Sequence, residues 1–146
     1  MLGKYTWDTA QMPINICDWF YRSFVHQVVP KANEKGVGVL GMKSLGGGTG
    51  RFVKAGICTA EEALTYALNQ KISSLVSGID SMDVLEKNLK IARAYKRLDE
   101  AGLKALVAKV KDVAGDGRHE RFKSTQLFDG PYHQKQHGLT AKEVQG

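Results

Sequence analysis

Two short apolar runs bounded by glycine, "GVGVLGM" at 36–42 and "SSLVSGI" at 73–79, constrain this chain more than any other feature. Each is too short for a helix, and each has the length and content of a strand buried on both faces. Helical periodicity follows each of them. "TAEEALTYALNQ" opens with Thr59 and Glu62 at capping-box spacing and sets Ala63, Leu64, Ala67 and Leu68 on one apolar face. "DSMDVLEKNLKIARAY" puts Leu85, Leu89 and Ala92 on one face, with Glu86 and Lys90 as an i,i+4 pair outside.

The same alternation extends in both directions. "DTAQMPIN" at 8–15 reads as a strand that ends near Pro13, because proline removes a ladder donor and holds Met12 extended. From Trp19 to Lys35, Phe20, Phe24, Val28 and Ala32 form a helical stripe, with Pro30 as a kink or boundary. A last helix from Glu100 to Ala114 carries Leu103, Leu106, Val107, Val110 and Ala114 on its apolar side, and Gly115 stops it. The order strand, helix, strand, helix, strand, helix, helix predicts an α/β fold with right-handed parallel crossovers. Residues 115–146 are polar and without sustained periodicity. They are expected to form a tail that wraps loosely or is disordered, which divides the chain into 1–114 and 115–146.

Composition narrows the function. At 146 residues and 42% hydrophobic content, one domain with a real core is expected. The N-terminus has no apolar signal segment, and no run approaches the roughly 18 apolar residues of a membrane span. The chain therefore reads as cytoplasmic, with no membrane partner. Cys17 and Cys58 lack paired spacing and read as reduced structural thiols. The net charge of +6 suits an anionic partner. Nucleic acid is disfavoured, because the basic residues are spread over helices and tail without an aromatic stacking platform.

The chemistry concentrates at the strand ends. Lys43, Gly46, Gly47, Gly48 and Arg51 follow the 36–42 strand, at the end where parallel sheets bind ligands. Glycines there let backbone N–H groups approach phosphate oxygens, and the two cations add charge. The stretch is neither a Walker A loop nor a G-x-G-x-x-G opening, so a phosphate turn and a plain flexible loop both remain open. Asp80 or Ser81 caps the following helix, whose N-terminus favours anions, and Gln11 lies at another strand end, where its carboxamide can pair with an amide. His133 and His137 have H-x-x-x-H spacing, but Gly130, Pro131 and Gly138 argue against a helix there. No metal site is expected.

Taken together, "DTAQMPINICDW", "GVGVLGMKSLGGG", "SSLVSGIDSMDVLEKNL" and the "FKST" and "FDGPYHQKQHGL" endings resemble the C-terminal part of the aldo/keto reductase family, in its predicted-oxidoreductase branch. The resemblance spans nearly the whole chain. It implies the last three strand-helix units, final helix and tail of a (β/α)8 barrel, an incomplete barrel whose intact form transfers hydride between NAD(P)H and a small aldehyde or ketone. By resemblance, Gln11 contacts the nicotinamide carboxamide. Lys43, Ser44, Leu45, Gly46, Gly47 and Gly48 follow the pyrophosphate, with Arg51 as a nearby charge for the cofactor, and Gly78, Asp80, Ser81, Val84, Lys87 and Asn88 hold the adenosine end. Met42 replaces an aromatic that many members stack on nicotinamide. Asp80 stands where several have a small or basic residue near the 2'-phosphate, so NADP(H) is implied with NAD as the alternative.

The family's catalytic aspartate, tyrosine, lysine and histidine lie on early strands, so no catalytic residue is assigned here. The chain is then expected to be a fragment, inactive alone, with two open sheet edges that favour self-association. The alternative expectation is a non-catalytic nucleotide-binding or interaction module built from the same fold.

Overall fold

The structure is a computed structural model that describes residues 3–47 and 50–124. Three parallel strands form one mixed α/β sheet: β1 Thr9–Pro13, β2 Gly38–Met42 and β3 Ser74–Leu75, in the spatial order β1-β2-β3. Thr9 pairs with Gly38 and Pro13 with Met42, while Leu40 and Gly41 pair with Ser74 and Leu75. Pro13 ends β1 as expected, and the next amide, Ile14 N–H, donates to Met42 O at 2.9 Å. Adjacent strands that are also sequential require crossovers through helices, and the chain provides them.

The first crossover is the broken form of the helix expected over 19–35. A 3-10 turn at Ile16–Trp19 is followed by α1 Phe24–Gln27 and α2 Val29–Glu34. The break has an electrostatic cause. The buried Asp18 carboxylate accepts from Ser23 Oγ at 2.8 Å, Phe24 N–H at 2.9 Å and Val25 N–H at 3.0 Å, so it serves as acceptor for the start of α1 in place of a continuing helix. Pro30 is a boundary residue, in the first turn of α2 where its missing N–H costs no bond.

The second crossover contains α3 Arg51–Lys54 and α4 Ala60–Asn69. The capping box at α4 is present in both directions: Thr59 Oγ1 accepts from Glu62 N–H at 3.1 Å, and Thr59 N–H donates to Glu62 Oε2 at 2.9 Å. After β3 come α5 Met82–Ala94, α6 Glu100–Ala108, α7 Lys111–Ala114 and α8 Arg121–Ser124. The helix expected over 100–114 is thus interrupted near Lys109–Val110, yet Leu106, Val107, Val110 and Ala114 all remain buried.

Two apolar clusters hold these elements. One joins the sheet to α2 and α4 through Met12, Ile14, Val29, Ala32, Val37, Val39 and Ala67. The other gathers Ile16, Cys17, Phe52, Tyr66, Leu106, Val107 and Val110 beneath the 3-10 turn.

One expectation is corrected. The 73–79 run is not a buried strand. Its strand is only Ser74–Leu75, flanked by bonds from Ser73 N–H to Val39 O and Val76 N–H to Gly41 O, and Val76 and Ile79 are exposed, because β3 is the sheet edge and α5 buries none of its residues over it. Beyond Ala114 the chain continues to pack. Glu120 and Lys123 are only 2% and 7% exposed, because opposite charges await them in the core. Positions 125–146, including His133 and His137, lie outside the described residues. Among the described residues no helix is long and apolar enough to cross a membrane.

Candidate functional site

The C-terminal ends of the three strands open into a groove of about 510 Å³. That size falls in the range of small-molecule sites. Gln11 from β1, Met42, Lys43, Ser44, Leu45 and Gly47 from the end of β2 and its turn, and Gly78, Asp80 and Val84 from the stretch between β3 and α5 all line it. Gly50, Val76, Ser77 and Ile79 complete the walls.

The turn after β2 is held in an unusual backbone geometry. Lys43, Gly46 and Gly47 all have positive φ, at 53°, 88° and 71°, and Gly46 N–H donates to Lys43 O at 2.9 Å. For lysine the left-handed region is disfavoured by the Cβ, so its presence at a strand end marks a constrained position. Gly46 has no substitute here: a Cβ would lie 2.7 Å from Phe52 Cδ1, with the ring fully buried beneath the turn.

Across the groove, Ser81 caps α5, its Oγ accepting from Val84 N–H at 3.3 Å. Of the two candidate caps the serine therefore does the work, and Asp80 stays exposed on the groove wall. Asn88 donates to Ser77 Oγ at 2.9 Å and lines a separate apolar cavity of about 190 Å³ between α4 and α5, so it reaches the groove only through Ser77. Gly46 supports the turn without lining the groove. Arg51 and Lys87 are exposed and off its walls, and Gly48 lies outside the described residues.

Lys43 and Asp80 are the only titratable side chains among the described residues lining the groove. Away from the groove, burial shifts three groups in the core. Burial, and then the Glu120 and Cys58 charges, push the Cys17 thiol up to about 12; burial pushes Cys58 up to about 11. Tyr66 is also held above its ordinary value by burial, then by Asp18 and Glu120. These groups stay protonated near neutrality and are inert as nucleophiles or bases. Among the described residues no group of three or more metal-ligating side chains converges.

A buried polar cluster escaped the sequence analysis. Lys123 Nζ donates to Asp18, to Glu120 Oε2 at 2.7 Å and to Tyr21 O at 3.2 Å, and Asn15 Nδ2 donates to Glu120 Oε1 at 2.8 Å. The legible signals were an aspartate inside the apolar "NICDWF" run and the i,i+3 pair Glu120 and Lys123. Burial raises the Glu120 carboxyl above the usual range, against the lowering pull of Lys123 and Asn15. Compared with protein-family models, curated proteins and solved structures, the chain finds no match in any of the three.

Proposed function

We propose that this chain is the dinucleotide-binding C-terminal portion of an aldo/keto reductase barrel, binding NAD(P)H in the groove at the strand ends. One observation carries the reading. Residues far apart in sequence, from Gln11 to Val84, meet in a single groove where the resemblance expects nicotinamide, pyrophosphate and adenosine contacts in that order. The sequential parallel strands support the barrel, because each crossover returns to the neighbouring position as in a (β/α)8 fold.

Each segment has a defined task in this reading. The Gln11 carboxamide orients the nicotinamide amide, and the turn from Lys43 to Gly47 receives the pyrophosphate, with the Lys43 ammonium supplying charge. The start of α5 receives the adenosine end. The cofactor supplies a hydride to the carbonyl carbon of an aldehyde or ketone in the intact enzyme. The groove's own residues include no acid suited to protonating the carbonyl oxygen, so that role falls to residues of the complete barrel. The open edges at β1 and β3 serve as docking edges for that remainder or, in the isolated chain, for a second copy.

Titration with NADPH and with NADH, followed through Trp7 and Trp19 fluorescence and energy transfer to nicotinamide, tests the reading. Saturable binding is expected, weakened about tenfold or more by Lys43→Met through loss of a charge-assisted contact. A folded, monodisperse chain that binds neither dinucleotide would overturn it. The second reading, a nucleotide-binding module without chemistry of its own, draws on the groove's sparse titratable lining, Lys43 and Asp80 among the described residues. Dinucleotide binding by a reconstituted complete barrel that turns over no carbonyl would favour it.

A further inference from the structure

The segment that packs into the core after α7 touches the glycine turn at two points. Lys43 Nζ lies 5.4 Å from the centroid of the Phe122 ring, and His119 meets the Phe52 ring edge to face at 6.4 Å, directly under Gly46. Phe122 is not free to drift. Its neighbour Lys123 is tied to Asp18, Glu120 and Tyr21 O, and Arg22 Nη1 donates to Lys123 O at 2.8 Å. A buried ion cluster thus anchors a half-buried aromatic ring, and the ring faces Lys43, the one cation lining the groove among the described residues.

We infer that Phe122 is a positioning residue for the phosphate site: its ring face holds the Lys43 ammonium over the glycine turn, so that docking of α8 and binding of a dinucleotide favour one another. The inference rests on the dinucleotide reading of the groove. Holding the lysine before the ligand arrives removes part of the ordering cost of binding. Attraction between a cation and a ring face at an exposed site is modest, which sets the expected effect at about 2- to 5-fold in affinity. The coupling is reciprocal, so a bound dinucleotide must stabilise the docked α8 by the same factor.

The test uses the full chain with NADPH as probe and three variants. Phe122→Leu keeps apolar bulk and removes the ring, Phe122→Tyr keeps the ring, and Lys43→Met removes the cation. Without ligand, the Lys43 ε-methylene protons should show an upfield ring-current shift that Phe122→Leu abolishes and Phe122→Tyr retains. With NADPH, Phe122→Leu should weaken binding about 2- to 5-fold, Phe122→Tyr should restore it, and Phe122→Leu should have no further effect beside Lys43→Met. Three results would overturn the inference: wild-type affinity in Phe122→Leu, an equal loss in the Lys43→Met background, or a tyrosine variant no better than leucine. Binding by the wild type that Phe122→Leu leaves unchanged sinks the inference alone. Absence of binding by the wild type sinks the dinucleotide reading and the inference with it.

Discussion

The groove has two walls of different character. On one side, the end of β2 and its turn stand on a packed base in which Phe52, Asp18 and Glu120 are buried and every charge in the Asp18, Glu120 and Lys123 cluster has a partner. On the other side, α5 is the longest helix among the described residues, at 13 residues, yet buries none of them, and Ile79 before it and Met82 at its start are 52% and 66% exposed. Helix length is therefore a poor guide to anchoring in this molecule. The firm wall is made of short turns tied by long-range polar bonds; the soft wall is a well-formed helix resting on an edge strand of two residues. In the proposed function, the firm wall presents the phosphate contacts and the soft wall closes on the adenosine end.

Removing the cation from the firm wall should give the largest effect. Lys123→Met leaves two buried carboxylates facing each other, and a loss of about 3–5 kcal/mol in urea unfolding is expected. Adding Glu120→Gln should recover part of it. A loss below about 1 kcal/mol would show that the cluster is no firmer than a surface pair, and the contrast between the walls would collapse.

The soft wall should respond far less. Leu89→Ala on α5 should cost about 1 kcal/mol or less, because the side chain is already partly in water. Amide exchange should be faster across Met82–Ala94 than across Ala60–Asn69, with NADPH slowing the start of α5. Equal protection of the two helices without ligand would contradict the comparison.

The smallest effect concerns pH. Burial, followed by the positive charges of Arg118 and Arg51, holds His119 below its ordinary 6.5, with Asp116 opposing. The folded state thus binds its proton less readily than the unfolded chain. Its contribution is fully present above pH 6.5 and is lost as pH falls from there through the lowered value. Subtracting the pH–stability profile of His119→Gln from that of the wild type should show this slope. A difference that is flat, or that rises toward acid, would remove His119 from the firm wall's electrostatics.

Much of this organisation is readable from neighbouring residues. Thr59 and Glu62 announce α4 because both halves of a capping box lie within four residues, and Pro13 marks the end of β1 by its own missing donor. Gln11, Lys43 and Asp80 could be assigned to one site only by resemblance, since nothing local brings strand ends together. The helix over 19–35 breaks at the boundary that Pro30 marks and again near Ser23, where nothing local marks it. Its periodicity is genuine, but Asp18 diverts the backbone toward Ser23, Phe24 and Val25 once it is buried beside Lys123, more than a hundred residues away.

The sequence by itself determined the alternation of strands and helices, their caps and the strand-end position of the glycine turn, because these depend on backbone preferences and on periodicity within a few residues. Tertiary structure alone decided which strand became a thin exposed edge, which polar residues entered the core and which aromatic ring came to face Lys43. Burial and charge pairing act between residues distant in the chain, and their balance of desolvation against attraction exists only once the elements have packed.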